Sequence, residues 1–390
     1  MGRGCCDFLP SRPMNRSGLF INWRILHSTL FFDPIRTFPA YLLVLVSCTL
    51  LFNCTDSAEP GTFIKADAVN PVLGPGSGIF LCPVTNDSVA WEIKDVFNPA
   101  AVVKDGKVWL LYRAEDSIGR FNGTSRIGLA VSSDGFNFQR RSAPVLFPEH
   151  DEMFEVEWEG GIEDPRVVSS PLGGYVMTYT AYDGKTARLC IAFSDDLIKW
   201  RKGGTVLRDE FRNLWSKSGA MVVERQGEKM VAKKIMDKYW MYFGDTDLFM
   251  AWSEDLKSWH PLEKDGKLIP VLSPRPGKFD SRLVESGPFA LWNSNRIMLL
   301  YNGMNLDAGG DPDLPAGAYC SGKAYFNPDD PTVLTGRDEQ YFLKPDKPYE
   351  IEGQVNQVCF IEGLVFFNNR WFLYYGTADS KIAVAVSGTD

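Results

Sequence analysis

Histidine is nearly absent from this chain. Only His27, His150 and His260 occur among 390 residues. That scarcity argues against a histidine-rich metal centre and against a nucleophile activated by imidazole. No G-x-S-x-G elbow and no P-loop is present. Basic charge is also in deficit: 41 Lys and Arg stand against 49 Asp and Glu, a formal net charge of −8. Nucleic acid is therefore excluded as the expected partner, because phosphate binding needs a basic surface. Cysteines are few and widely spaced. Cys5, Cys6, Cys48 and Cys54 fall in the leader, and Cys82, Cys190, Cys320 and Cys359 fit no zinc or redox spacing. They read either as one or two disulfides or as buried thiols. Helix-period stretches of useful length are missing as well.

Long hydrophobic runs are missing with one exception, Ala40 to Phe52 (AYLLVLVSCTLLF). Arg3, Arg12, Arg16, Arg24 and Arg36 precede it, and Asp56 and Glu59 follow. At about 13 residues it suits a signal-peptide core better than a span of roughly 20. The long basic stretch before it favours an uncleaved signal anchor, with residues 38–53 touching the membrane. Either reading places the chain in the secretory pathway, secreted or held in the ER or Golgi lumen. Asn86 and Asn122 lie in Asn-x-Ser/Thr tripeptides compatible with that route. The expected organisation is a leader over 1–58, a lead-in or ring-closing strand over 59–97, and a main domain over 98–390.

The main domain repeats. NPAAVVKDGKVWLLYRAED with RIGLAVSSDGFNFQRR, DPRVVSSPLGGYVMTYTAYDG with ARLCIAFSDDLIKWRKG, and SGAMVVERQGEKMVAKKIMDKYWMYFGDTD with LFMAWSEDLKSWHPL share one plan. Two weaker copies start at SGPFALW and NQVCFIEG. Tyr112, Tyr179, Tyr242, Tyr301 and Tyr374 correspond, at intervals of roughly sixty to seventy residues. Short apolar strands bounded by Gly, Asp and Asn predict an all-β fold, a five-bladed β-propeller. The S-x-D-x-x-x-[FW] endings read as structural turns, with Trp200 and Trp259 packing between blades.

In such a ring the starts of the innermost strands converge. The repeats put Asn98, Asp164, Ser218, Glu285 with Ser286, and Asn356 there. Polar groups buried at one mouth need partners, and a polar ligand supplies them. Glu163-Asp164-Pro-Arg166 and Glu285 offer the two carboxyls that glycoside cleavage uses, and Arg166 could tune its acidic neighbours by charge. Arg113 could bond a hydroxyl or pair with Asp116. Asp183, Asp245, Asp247 and Asp379 end the second strands of their repeats, where loops build sites. Trp91, Trp158, Trp215 and Tyr182 are candidates for stacking on sugar rings.

FNPAAV, LLYRAED, SRIGLAVSSDG, GIEDPR, YTAYDG, AWSEDLKSW and YYGTAD together resemble glycoside hydrolase family 130, from Asn98 to the C-terminus. The resemblance implies β-mannoside phosphorylases and β-mannosidases on five-bladed propellers. It implies that Asp164 is the acid, acting through the sugar's own 3-hydroxyl with inversion. It puts Asn98, Arg113 and Arg166 near the mannosyl subsite. Lys217 and Arg188 match the cations phosphorylases need, whereas the family's His-Arg pair is replaced within YFGDTD and its Lys-Asp reads Lys217-Ser218. Glu285 stands where phosphorylases have a Gly-rich stretch. A carboxylate there repels phosphate and can activate water. The expectation is an inverting glycosidase on β-mannosides, with Asp164 as acid and Glu285 as base. A phosphorylase or a non-catalytic glycan-binding propeller is the alternative. No cofactor is called for, although an acidic mouth could hold Ca²⁺.

Overall fold

The computed structural model describes residues 59–388, so the Ala40–Phe52 run and its basic flank lie outside them. The described residues are almost entirely β, and their two α-helices, Phe154–Glu157 and Pro348–Ile351, have four residues each.

Five antiparallel units follow one another. The first runs Asp95–Lys104, Lys107–Glu115, Ser125–Ser132 and Gln139–Arg140. The second runs Gly161–Ser169, Tyr175–Tyr182, Ala187–Ser194 and Arg201–Thr205. In the third, Ala220–Gln226 pairs with Lys238–Phe243, then Phe249–Ser253 and His260–Pro261. The fourth runs Leu283–Trp292, Ile297–Met304, Tyr319–Phe326 and Leu334–Arg337. The fifth joins Cys359–Phe367, Arg370–Thr377 and Lys381–Ser387, and Ile64–Lys65 pairs along its outer edge. Each first strand neighbours the next, and the fifth returns to the first. The ring is therefore closed by chain from both ends of the described region. Lys65 locks the closure, with Nζ 2.7 Å from the buried Glu350 carboxylate.

Local chemistry explains the hairpins. Asp105-Gly106 and Asn368-Asn369 both have positive φ, as a two-residue turn between right-twisted strands demands. The S-x-D segments are turns, as the sequence implies. Asp196 Oδ1 accepts the Ile198 and Lys199 amides, and Asp255 Oδ1 accepts those of Lys257 and Ser258. The Trp200 and Trp259 indoles then bond the carbonyls of Leu197 and Leu256.

The five corresponding tyrosines are fully buried. Each hydroxyl donates to a group outside its sheet, on a loop or, for Glu157, a short helix: Glu92, Glu157, the Pro331 carbonyl, Asp280 and the Gly135 carbonyl in turn. The repeat thus marks where each sheet is tied to its surroundings. Cys82, Cys190, Cys320 and Cys359 are buried free thiols with no disulfide among them.

Four of the five inner strands are irregular at one place each. Register shifts fall at Phe97/Pro99, Glu163/Arg166, Ser286/Ala290 and Ile361/Gly363. A bulge leaves a residue unpaired and re-aims its side chain. Asn98 and Asp164 adopt positive φ there, a conformation Asn and Asp tolerate better than most residues, and Ser218 does so just ahead of the third inner strand. The following Pro99 and Pro165 have no N–H to lose from the ladder. Asn98 and Asp164 therefore sit at bulges inside their strands rather than at strand starts, whereas Ser218 lies just ahead of the third inner strand and Glu285 pairs with Asn302 near the start of the fourth.

Candidate active site

Asn98 and Asp164 from their bulges, Lys217 from the segment ahead of the third inner strand and Glu285 from the fourth meet around a cavity of about 130 Å³, completed by Arg113, Tyr319, Phe360 and Asp379. Asn98 Nδ2 donates to Asp164 Oδ1 at 2.9 Å. Arg113 is the hub. Its Nη1 lies 3.3 Å from Asp164 Oδ1, and its Nη2 lies 2.6 Å from Glu115 and 3.0 Å from Glu163. Its Nε donates to Ser125 Oγ, and its plane covers the Phe97 ring. The expected alternative pairing with Asp116 does not form, because Asp116 binds Arg126 at 2.6 Å.

Lys217 joins the two halves. Its Nζ stands 3.4 Å from Glu285 Oε1 and 4.0 Å from Asp164 Oδ2. Ser218 Oγ donates a short hydrogen bond to the same Glu285 oxygen. The consecutive pair Lys217-Ser218 therefore holds one carboxylate from two directions.

The electrostatics follow from crowding acids in a buried space. Burial would raise Asp164, but Arg113, Lys217 and the Asn98 hydrogen bond outweigh it and hold the carboxyl below its usual range. Burial raises Glu285, opposed by Lys217 and reinforced by Asp245. Burial pushes Glu163 up to about 7 against the pull of Arg113. Asp379 is likewise pushed up to about 7 by burial, with the charge of Asp164 adding to it. At neutral pH the cluster thus shares protons, with Glu163 and Asp379 among the carboxyls that hold them.

Several expectations need correction. Asn356 is exposed and accepts a bond from the Gly353 amide, because 352–357 form a loop ahead of the fifth inner strand. Glu362 occupies the fifth bulge instead. It is buried and its carboxylate hydrogen-bonds no described protein group. Arg166 Nη2 lies 3.7 Å away, and burial lifts its pKa well above the usual range. Arg166 is outside the lining of this cavity, yet its charge lowers both Asp164 and Glu285, as expected of a neighbour that tunes them. It donates to the Gly287 and Ser286 carbonyls and ties the second unit to the fourth. Asp183 pairs with Arg188 at 2.8 Å and caps its own turn, so neither lines the cavity. Asp247 is outside the lining too. Asp245 lies beside it and accepts the Trp215 indole N–H at 2.7 Å. Trp91 is fully buried against Tyr112 and Trp158 stacks on Phe154, so both are packing residues. Tyr319 and Glu362 were not singled out by sequence. An E-G step before LVFF, matching D-P before RVV, is the signal for Glu362. Among the described residues no three acidic, Cys or His side chains are grouped as a metal would require.

Residues 74–390 match the family model described as β-1,4-mannooligosaccharide phosphorylase. A 1,2-β-oligomannan phosphorylase of Thermoanaerobacter sp. (strain X514) is 32% identical over 305 residues, covering 76% of this chain and 90% of that protein. A crystal structure of a glycosyl hydrolase from Bacteroides ovatus is 44% identical with a TM-score of 0.82, covering 85% of this chain and 94% of the other. A further solved structure has the same identity, TM-score and coverage. It is described in terms of a GH130 family of mannoside phosphorylases containing glycoside hydrolases that target β-1,2-mannosidic linkages in Candida mannan.

Proposed function

Since the chain belongs to glycoside hydrolase family 130, we propose that it is a five-bladed β-propeller enzyme that removes terminal β-linked mannose from a glycan, with water as the attacking group. The observation that carries this reading is Glu285. It is buried in the cavity wall, held by Ser218 and Lys217, and set apart from Asp164 by the Lys217 ammonium. Two carboxyls facing one small cavity match the requirement for an acid and a base.

The reaction runs as follows. Asn98, Arg113 and Asp379 bind the hydroxyls of the mannosyl ring. Glu285 takes a proton from water as its oxygen attacks the anomeric carbon. The glycosidic bond breaks, and its oxygen receives a proton from Asp164, relayed by the sugar's own hydroxyl. Mannose of inverted anomeric configuration and a shortened glycan leave. Asp164 is ionised in the free site, so substrate binding must deliver it a proton from a neighbouring carboxyl that burial raises, such as Glu163 or Asp379.

Phosphorolysis is the second reading. The names of the curated relatives favour it, and on kinship to them alone it is the better supported. Arg113 and Lys217 would be the cations for phosphate. Against it, Asp164, Glu285 and Asp379 face those two cations with Glu163 and Glu115 behind Arg113, which leaves no excess positive charge for a dianion.

The test is incubation with β-1,2- and β-1,4-linked mannobiose, with and without phosphate, followed by proton NMR. Free α-mannose in both conditions supports hydrolysis. Mannose 1-phosphate formed only with phosphate supports phosphorolysis and removes Glu285 as base.

A further inference from the structure

The catalytic cavity is on the scale of one sugar ring, at about 130 Å³. Everything beyond the cleaved mannose must therefore lie outside it. A larger groove of about 500 Å³ adjoins, walled by the Gly244-Asp245-Thr246 segment. The groove's wall is bonded to the segments that carry the cavity's residues. The Gly244 amide donates to the Lys217 carbonyl at 2.9 Å, and the Val284 amide to the Thr246 carbonyl at 3.0 Å. The residues after that segment's partners, Ser218 and Glu285, belong to the site just described. One stretch of backbone thus separates the cavity from the groove.

Groove chemistry suits a sugar chain. Trp215 is 49% exposed and Leu214 41%, a high exposure for two adjacent apolar side chains. Yet Trp215 is not loose. Its indole N–H is bonded to Asp245, and its ring meets Tyr182 edge-on at 6.3 Å. Tyr182 in turn rests against Phe121. An aromatic face that is both exposed and fixed is pre-organised to stack on the C–H face of a pyranose. Phe211, Phe243 and Phe249 supply an apolar floor, while Asp245 and Lys267 give the rim polar groups for hydroxyls.

The geometry points to this groove as the binding surface for the next sugars of the glycan on the leaving-group side, with Trp215 as its stacking platform. The inference rests on the reading that the cavity takes the terminal mannose. It makes the enzyme selective for chains longer than a disaccharide, through affinity rather than through the chemical step.

The experiment compares a β-mannotetraose with the corresponding mannobiose on the full chain, Trp215→Ala and Leu214→Ser. The ratio of kcat/KM on the longer to the shorter substrate should fall about tenfold in Trp215→Ala, through KM, and less in Leu214→Ser. An unchanged ratio overturns the inference. Calorimetric titration of tetraose into Asp164→Asn, with and without Trp215→Ala, reads the groove without turnover. Weaker binding on loss of Trp215 supports the groove even if the wild-type chain cleaves neither mannoside, an outcome that refutes the reaction alone. Binding that ignores Trp215, or no binding at all, removes the groove.

Discussion

Asn98 Nδ2 and Asp164 Oδ1, 2.9 Å apart, join the bulge of the first unit to the bulge of the second. Both residues have positive φ, so both side chains are aimed by the same backbone device. Asn tolerates that conformation as well as Asp does. Asp164→Asn should therefore fold normally. Without a proton to give, its turnover should fall by about 10³-fold or more. Circular dichroism and thermal melting check the fold, and product release checks the chemistry. Turnover within tenfold of wild type would remove Asp164 as the acid.

Proton sharing sets the pH dependence of activity. Glu285 must be ionised to act as base, and burial has raised it above its usual value of 4.5. The acid limb of kcat/KM should accordingly lie above that value. The proton for the leaving group comes from neighbouring carboxyls such as Glu163 and Asp379, which stand at about 7. Activity should decline as pH rises through about 7. The expected profile is a bell whose basic limb falls near pH 7. A plateau continuing to pH 9 would show that the proton has another source.

The same carboxyls tie stability to pH. Glu157, Glu163 and Asp379 are each raised to about 7 in the folded chain, in each case by burial first. A group raised on folding contributes stability that is fully present below its unfolded value and is lost as pH climbs through its folded value. The window is thus from about 4 to 7. Carboxyls lowered on folding, such as Asp164 and Glu115, act below that window. The melting temperature of the ligand-free chain should be higher at pH 5 than at pH 8. A curve rising over that interval would contradict the burial assigned to these three acids.

Gly376 is a glycine because of Asn98. A Cβ at 376 would collide with Asn98 Oδ1 and crowd its amide nitrogen. Gly376→Ala should displace Asn98 from Asp164, lowering kcat/KM about tenfold to a hundredfold, since a misplacement of about 1 Å can cost that much. The melting temperature should move far less, because the strand register is unaffected. Activity equal to wild type would mean Asn98 can relax without loss.

Sequence alone made the second-strand tyrosines, the S-x-D turns and the polar residues at N-P, D-P and K-S legible, because each breaks a short apolar strand in the same place. It misplaced the fifth position. Asn356 begins the repeat as written, but the bulge comes at Glu362, six residues later, beyond a loop with no counterpart elsewhere. Contacts between distant units were invisible. Arg166 beside Asp164 reads as a charge partner and does lower both Asp164 and Glu285, but the carbonyls 120 and 121 residues away that its donors serve had no signal in the repeat. Asp183 was aligned with Asp245 by its strand-end position, but Arg188, five residues on, captures it locally. Periodicity locates backbone; which partner a side chain finds is decided by neighbours that periodicity does not pair.

The tyrosines offer a graded test of what ties the sheets together. Tyr242 donates to one neutral acceptor, the Pro331 carbonyl, at 2.7 Å. Tyr301 donates to Asp280, which is fully buried and also bound by Arg275 and Arg337, and its own oxygen accepts from Arg337 at 3.0 Å. Replacing either by Phe leaves the ring and its packing in place. For Tyr242→Phe the loss should be about 1 kcal/mol, the net worth of a neutral hydrogen bond. For Tyr301→Phe it should be larger, about 2 kcal/mol, because a buried carboxylate loses a donor inside a charged network. Denaturant unfolding of the two variants should give this order, with catalytic activity near wild type in both. Equal losses would mean that the two arginines alone satisfy Asp280, and that the tyrosine hydroxyl adds nothing beyond its ring.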